Sequence, residues 1–170
     1  MDGLTEGFRI GFNRQQRLHS ATSNMQGTSD HPEVVSAYLQ SEREQQTLLG
    51  PFERQSMPAI HVSRFGIIPK SHQPGKWCLI VDLSFPPGRS VNDGIPSELC
   101  SLSYVKLEHV VQHLVDVGPD AQMVKFDIKS AYRLIPVHPQ DRYLLGMCWE
   151  GKLYVDASLP FVQLRKYSRQ

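Results

Sequence analysis

Asp127 is the residue whose neighbours most clearly suggest chemistry. It stands in the run Val124-Lys125-Phe126-Asp127-Ile128-Lys129-Ser130-Ala131-Tyr132. Alternation from Met123 to Ile128 predicts a strand, with Val124, Phe126 and Ile128 on one face and Lys125 and Asp127 on the other. Ser130 to Ile135 predicts a short helical or turn segment, stopped by Pro136. A carboxylate at the end of a strand, with an aromatic five residues on, can hold a divalent cation beside a nucleotide. Mg²⁺ takes one or two carboxylates plus phosphate oxygens, so a single protein Asp suits part of such a site. Asp also caps turns through its side chain, and spacing alone leaves both readings open.

The elements that must position these residues have their own signals. Asp30-His31-Pro32-Glu33 predicts a helix start, with Asp30 as cap, and a helix to about Thr47 that Gly50-Pro51 ends. Val34, Val35, Tyr38 and Leu39 share one side of it. His61 to Ile68 and Trp77 to Leu83 are rich in β-branched and aromatic residues, and Ser71 to Gly75 supplies turn residues, so a hairpin is expected. Phe85 to Arg89 and Asn92-Asp93-Gly94 have loop composition. Leu107, Val110, Val111, Leu114 and Val115 follow helical spacing, with Ser103 as a possible cap and Gly118-Pro119 as the stop. That apolar stripe is expected to lie on the sheet containing Val124 to Ile128. Tyr143 to Trp149 and Leu153 to Val155 predict two strands around a Glu150-Gly151 turn.

In order along the chain, the motif residues are Arg64 to Lys70, Ser71 to Gly75, Lys76 to Ser84, Val124 to Tyr132, Pro136-Val137-His138-Pro139, Tyr143 to Gly146 and Leu159-Pro160-Phe161. This ordered set resembles the fingers and first palm segment of a reverse transcriptase, an RNA-directed DNA polymerase. The resemblance is closest to retrotransposons that carry a tyrosine recombinase, and next to retroviral-type polymerases. It covers Asp30 to Phe161, and several motifs in order are far more specific than any one of them.

The resemblance implies an α+β fold: a β-hairpin fingers element and antiparallel palm strands packed on helices. It implies that Asp127 is a catalytic metal ligand for Mg²⁺ and that the Ile128 backbone carbonyl is a second oxygen ligand. Tyr132 matches the aromatic that packs under the nucleotide sugar and excludes a 2′-hydroxyl; core filling is the other reading of the same residue. Lys70 resembles the fingertip lysine that meets the triphosphate, and Lys76 is a further nucleotide-binding candidate on that hairpin. Asp82 and Asn92 fall on motif positions with structural roles. The implied partners are an RNA or DNA template-primer and a deoxynucleoside triphosphate.

Two departures bear on activity. The family pattern places Arg after the hairpin Trp; here Cys78 follows Trp77 and supplies neither the charge nor the five donors of Arg. The family also continues from Leu-Pro-x-Gly to a Tyr-x-Asp-Asp turn with the remaining metal-binding carboxylates. Here Val162 to Gln170 follow Leu159-Pro160-Phe161, and no Asp-Asp pair exists in the sequence. A two-metal site needs more than Asp127, so the chain is expected to be inactive alone. A non-catalytic nucleic-acid-binding or protein-interaction module is one alternative, and a gene remnant without function is another. The organisation expected is a flexible segment over residues 1–29, a fingers/palm domain over 30–161 and a divergent tail over 162–170.

Composition bounds the remaining classes. The 170 residues are 40% hydrophobic and 21% charged, enough for one domain with a real core. A formal net charge of +1 falls short of the strong basicity of a self-sufficient nucleic-acid binder. A local basic groove remains open to Lys70, Lys76, Arg89, Lys125 and Lys129. Cys78, Cys100 and Cys148 show no zinc spacing, and His109 and His113 lack the adjacent Glu of a metalloprotease helix. No apolar run reaches membrane-spanning length and the first residues lack a secretory pattern, so an intracellular protein without a membrane partner is expected.

Overall fold

The computed structural model describes residues 2–71, 73–100 and 105–160. The expected Ser103 cap and the tail over 162–170 lie outside the described residues. The fold is α+β, as expected. A short helix α1 (Asp2–Glu6) precedes α2 (Gln26–Asp30) and α3 (Pro32–Glu44). Strand β1 (Leu48–Glu53) follows, then the hairpin β2 (Arg64–Pro69) and β3 (Trp77–Asp82). Helix α4 (Leu107–Val117) leads to a 3-10 turn over Ala131–Leu134, and β4 (Gly146–Trp149) and β5 (Lys152–Asp156) close the described chain.

The strands form two antiparallel groups, β1-β5-β4 and β2-β3. The β4–β5 connection is Glu150-Gly151 with φ of 47° and 76°, the paired positive φ that a tight hairpin turn of matching twist requires. A parallel bridge from Val62 to Gly146 joins the segment before β2 to β4. A Cβ on Gly146 would meet the His61 carbonyl oxygen at 2.4 Å, so only glycine admits that crossing. One face of α3 buries Val35 and Leu39 with Phe65, Ile67, Leu79, Val81, Leu144, Leu145 and Met147 in the main core. The hydrophobic effect acting on this shared face holds helix, hairpin and β4 together.

Several expectations are corrected. Asp30 ends α2 instead of capping α3; His31 holds the cap position, and Pro32 occupies the first turn, where its missing N–H costs nothing. The helix stops at Glu44, and Leu48–Glu53 around Gly50-Pro51 is a strand paired with β5. Its disturbed register between Leu49 and Phe52 broke the period-2 pattern that would have signalled it. Tyr143 and Leu144 belong to a 3-10 helix (Pro139–Leu144), so the predicted strand begins only at Gly146.

The segment before α3, expected to be flexible, packs along the body. Phe8 donates its N–H to the Pro136 carbonyl, Ala21 to Val62 and Met25 to Phe65, and Ile10, Phe12 and Leu18 pack on the main core. Sparse apolar residues without periodicity suffice because a ready-made core receives them.

Met123 to Ile128 is not a strand. It has no regular secondary structure, and Val124, Phe126 and Ile128 stand at 86%, 79% and 53% exposure. Helix α4 forms where its periodicity places it, but its stripe stays open, with Leu107 at 76% and Val115 at 69%. A strand needs neighbours for its backbone groups, and none of the described strands lies beside this run.

Candidate functional site

The fingertip is built by a turn between β2 and β3. Lys70 donates its N–H to the Lys76 carbonyl at 2.8 Å, and Lys76 donates to Gln73 at 3.0 Å. Both lysines are exposed, so the hairpin brings the two ammonium groups to one end with their heads in water. Behind the tip, Trp77 packs on the core and lies 4.3 Å, centroid to centroid, from the His31 ring. Cys78 pairs with Ile68 and is partly buried; burial raises its thiol pKa, and nearby Lys70 opposes the rise.

At the other end of the hairpin, Arg64 and Asp82 pair directly across the strands. The guanidinium grips the Asp82 carboxylate at 2.7 and 3.0 Å and lies 3.6 Å over the Phe85 ring. Asp82 also accepts from the Ser84 N–H, and Asn92 donates to the Ser84 hydroxyl. These two motif residues therefore hold the loop that leaves the hairpin.

Asp127 and Ile128 lie on the exposed stretch that enters the 3-10 turn Ala131–Leu134, and Tyr132, at 54% exposure, lies within that turn. Ser130, at φ 54°, turns the chain through the left-handed region just before it. Asp127 is thus one oxygen donor on an open segment. Among the described residues no three His, Cys, Asp or Glu side chains gather as a metal-binding group. The donors present do not by themselves fit a two-metal centre.

What fixes this turn is Arg133, which sequence reasoning passed over. Its guanidinium donates to Glu42 at 2.7 Å on α3, to Asp156 at 2.7 Å on β5, and to the carbonyls of Thr47 and Leu159. The Thr47 hydroxyl donates to Glu42 as well. All three charged side chains are nearly buried. Burial pushes the Asp156 carboxyl up to about 6, against the pull of Arg133. Burial works against the charged guanidinium too, but Asp156 and Glu42 hold its pKa above the ordinary value. The Tyr38 hydroxyl is raised, first by burial and then by Glu42. The one signal in the sequence was an Arg directly after the motif Tyr; its acidic partners are far away in the chain.

No family model matches the sequence, and no curated protein matches it. Solved structures do. The chain is similar to the prototype foamy virus protease-reverse transcriptase (CSH mutant), with 17% identity and TM-score 0.56 over 85% of this chain and 17% of that one. It is similar to the foamy viral protease-reverse transcriptase in complex with RNA/DNA hybrid, with 16% identity and TM-score 0.54 over 88% of this chain and 18% of that one. The dRH form of that protein in complex with double-stranded DNA gives 17% identity and TM-score 0.51 over 86% and 22%. The chain spans about a fifth of the length of these proteins. At such identity the likeness is one of fold: a partial reverse-transcriptase fingers and palm.

Proposed function

We propose that these residues are the fingers and first palm part of a retroelement RNA-directed DNA polymerase, of the kind that carries a tyrosine recombinase. The observation that carries this reading is the joint one. It joins a reverse-transcriptase-like fold with two lysines at the hairpin tip and with the run Asp127 to Tyr132 at its place in the order of sequence motifs. In this reading Lys70 and Lys76 meet the triphosphate of an incoming nucleotide. Tyr132 lies under its sugar, and Asp127 with the Ile128 carbonyl supplies part of a Mg²⁺ site. The nucleic acid is a template-primer. The 170 residues by themselves bind and do not polymerise, because the remaining carboxylates are not among them.

Two measurements test this. Primer-template should bind the chain at low salt, and Lys70→Gln with Lys76→Gln should weaken that binding. Nucleotide incorporation with primed RNA and Mg²⁺ or Mn²⁺ should be absent. Incorporation that Asp127→Asn abolishes would overturn the inactive assignment, and no binding of any primer-template would overturn the nucleic-acid reading. A second reading, a protein-interaction module, draws support from the open apolar residues of α4 and of Met123 to Ile128. A partner that binds the chain and is lost on Val115→Glu would favour it.

A further inference from the structure

The two turns at the base of the hairpin carry a basic surface that the fingertip reading does not use. Residues 7–29 contain Arg9, Arg14, Arg17 and His19 and no acidic residue. Arg9 is committed to Asp141, whose carboxylate it grips at 2.8 and 2.9 Å. Arg14 and Arg17 are exposed and make no ion pair among the described residues; the same holds for Arg89 on the facing turn.

The two turns are fastened to each other. Gln16 donates its N–H to Asn13, closing the first turn, and Arg89 donates to Pro86, closing the second. Between them, the Gln16 side chain donates to the Gly88 carbonyl at 2.8 Å and the His19 N–H donates to the Arg89 carbonyl at 2.9 Å. Asn13 donates to the Gly94 carbonyl at 2.8 Å, and the Phe12 ring lies so close to Gly94 that a Cβ there would come within 2.1 Å of it. The backbones carrying Arg14, Arg17 and Arg89 are therefore fixed side by side before any ligand arrives. Asp93, the acid of the second turn, accepts from the Ser90 N–H and hydroxyl.

We infer that Arg14, Arg17 and Arg89 form a preorganised surface for the phosphate backbone of a nucleic acid, separate from the fingertip lysines. Three guanidiniums without a carboxylate partner among the described residues attract polyanions and fork onto phosphate oxygens. From Gly11 to Ser20 and from Ser84 to Ile95 no large apolar side chain is exposed, and Leu99, 64% exposed beside Gly11, is a single apolar group at the margin. A lipid surface, which rewards inserted apolar groups, is therefore the poorer fit. The surface lies a strand length from the fingertip, about 20 Å for the six residues of β3. The choice of nucleic acid over other polyanions rests on the functional reading above; the charge and geometry do not.

The test uses the whole chain and labelled single-stranded RNA, single-stranded DNA and duplex DNA, with anisotropy followed across a salt series. The triple variant Arg14→Gln, Arg17→Gln, Arg89→Gln should bind on the order of tenfold more weakly at low salt. Its slope of log affinity against log salt should shrink by about 2 for single strands and nearer 3 for duplex. Arg→Lys at the three positions should restore most of both, since phosphate accepts a point charge. Whichever probe loses most identifies the nucleic acid. An unchanged affinity and slope would overturn the inference, as would binding to phosphatidylserine vesicles in preference to every oligonucleotide. Loss on Lys70→Gln, Lys76→Gln but not on the arginine variant would overturn it while leaving the functional reading intact. If the triple variant melts early, the single variants decide, each expected to lower the slope by about 0.7 to 0.9.

Discussion

Arg133 joins elements distant in sequence through one guanidinium. Its partners Glu42 and Asp156 lie 91 and 23 positions away. Arg133→Met would leave two carboxylates facing each other in a buried site, and breaking such a group costs about 3–5 kcal/mol. Urea unfolding should register that loss, and Arg133→Lys should recover little of it, since an ammonium cannot fork to four acceptors at once. His61 sets a pH dependence. Burial, aided by His19, lowers its pKa to about 4, and its Nε2 has no hydrogen-bond partner. The folded state therefore takes up the proton less readily than the unfolded chain, whose value is near 6.5. The resulting stability is full above about 6.5 and is lost as pH falls towards 4. Asp156, raised to about 6, has the opposite sign: its contribution is full below the ordinary carboxyl value and is lost as pH rises through 6. Comparison with His61→Gln removes the Asp156 part. The stability advantage of the native chain over that variant should shrink by about 3 kcal/mol between pH 7 and pH 4.

At the scale of elements, the hairpin and the segment docked beneath it behave as one unit. Gly94 is the joint, because the Phe12 ring occupies the space a side chain would need. Gly94→Ala should cost about 1–3 kcal/mol through overpacking and should expose residues 8–20 to proteolysis before the hairpin itself is cut. Loss of stability with unchanged cleavage there would count against the coupling. The hairpin itself was legible in sequence, because two β-rich runs and a Pro-Gly turn are local signals. The docked segment was not: Ile10, Phe12 and Leu18 have no period of their own, and their partners lie in other elements. β1 was missed for a related reason, since Gly50-Pro51 reads locally as a stop while its pairing with β5 is a contact across the fold.

Across the whole molecule, the apolar side chains are unevenly covered. The core under α3 and the hairpin is closed, whereas Leu107, Val111, Val115, Val124 and Phe126 stand at 51–86% exposure. The chain should bind a hydrophobic dye and self-associate, and Val115→Glu with Phe126→Ser should reduce both; a monodisperse monomer that binds no dye would contradict this. The sequence by itself determined what depends on neighbours within a turn or two: helix α4 and its stop at Gly118, the β2–β3 and β4–β5 hairpins, and the order of motifs that carries the resemblance. Of the candidate site it supplied Asp127, Tyr132 and the fingertip lysines as residue types at a spacing. The tertiary structure alone decided which faces are covered, that Arg133 anchors the turn that holds Tyr132, and that the segment carrying Arg14 and Arg17 is fastened to the turn carrying Arg89. Periodicity reports which side of an element favours cover. Whether cover arrives depends on contacts between distant residues, and the alternation of Met123 to Ile128 carries no information about the strands it would need beside it.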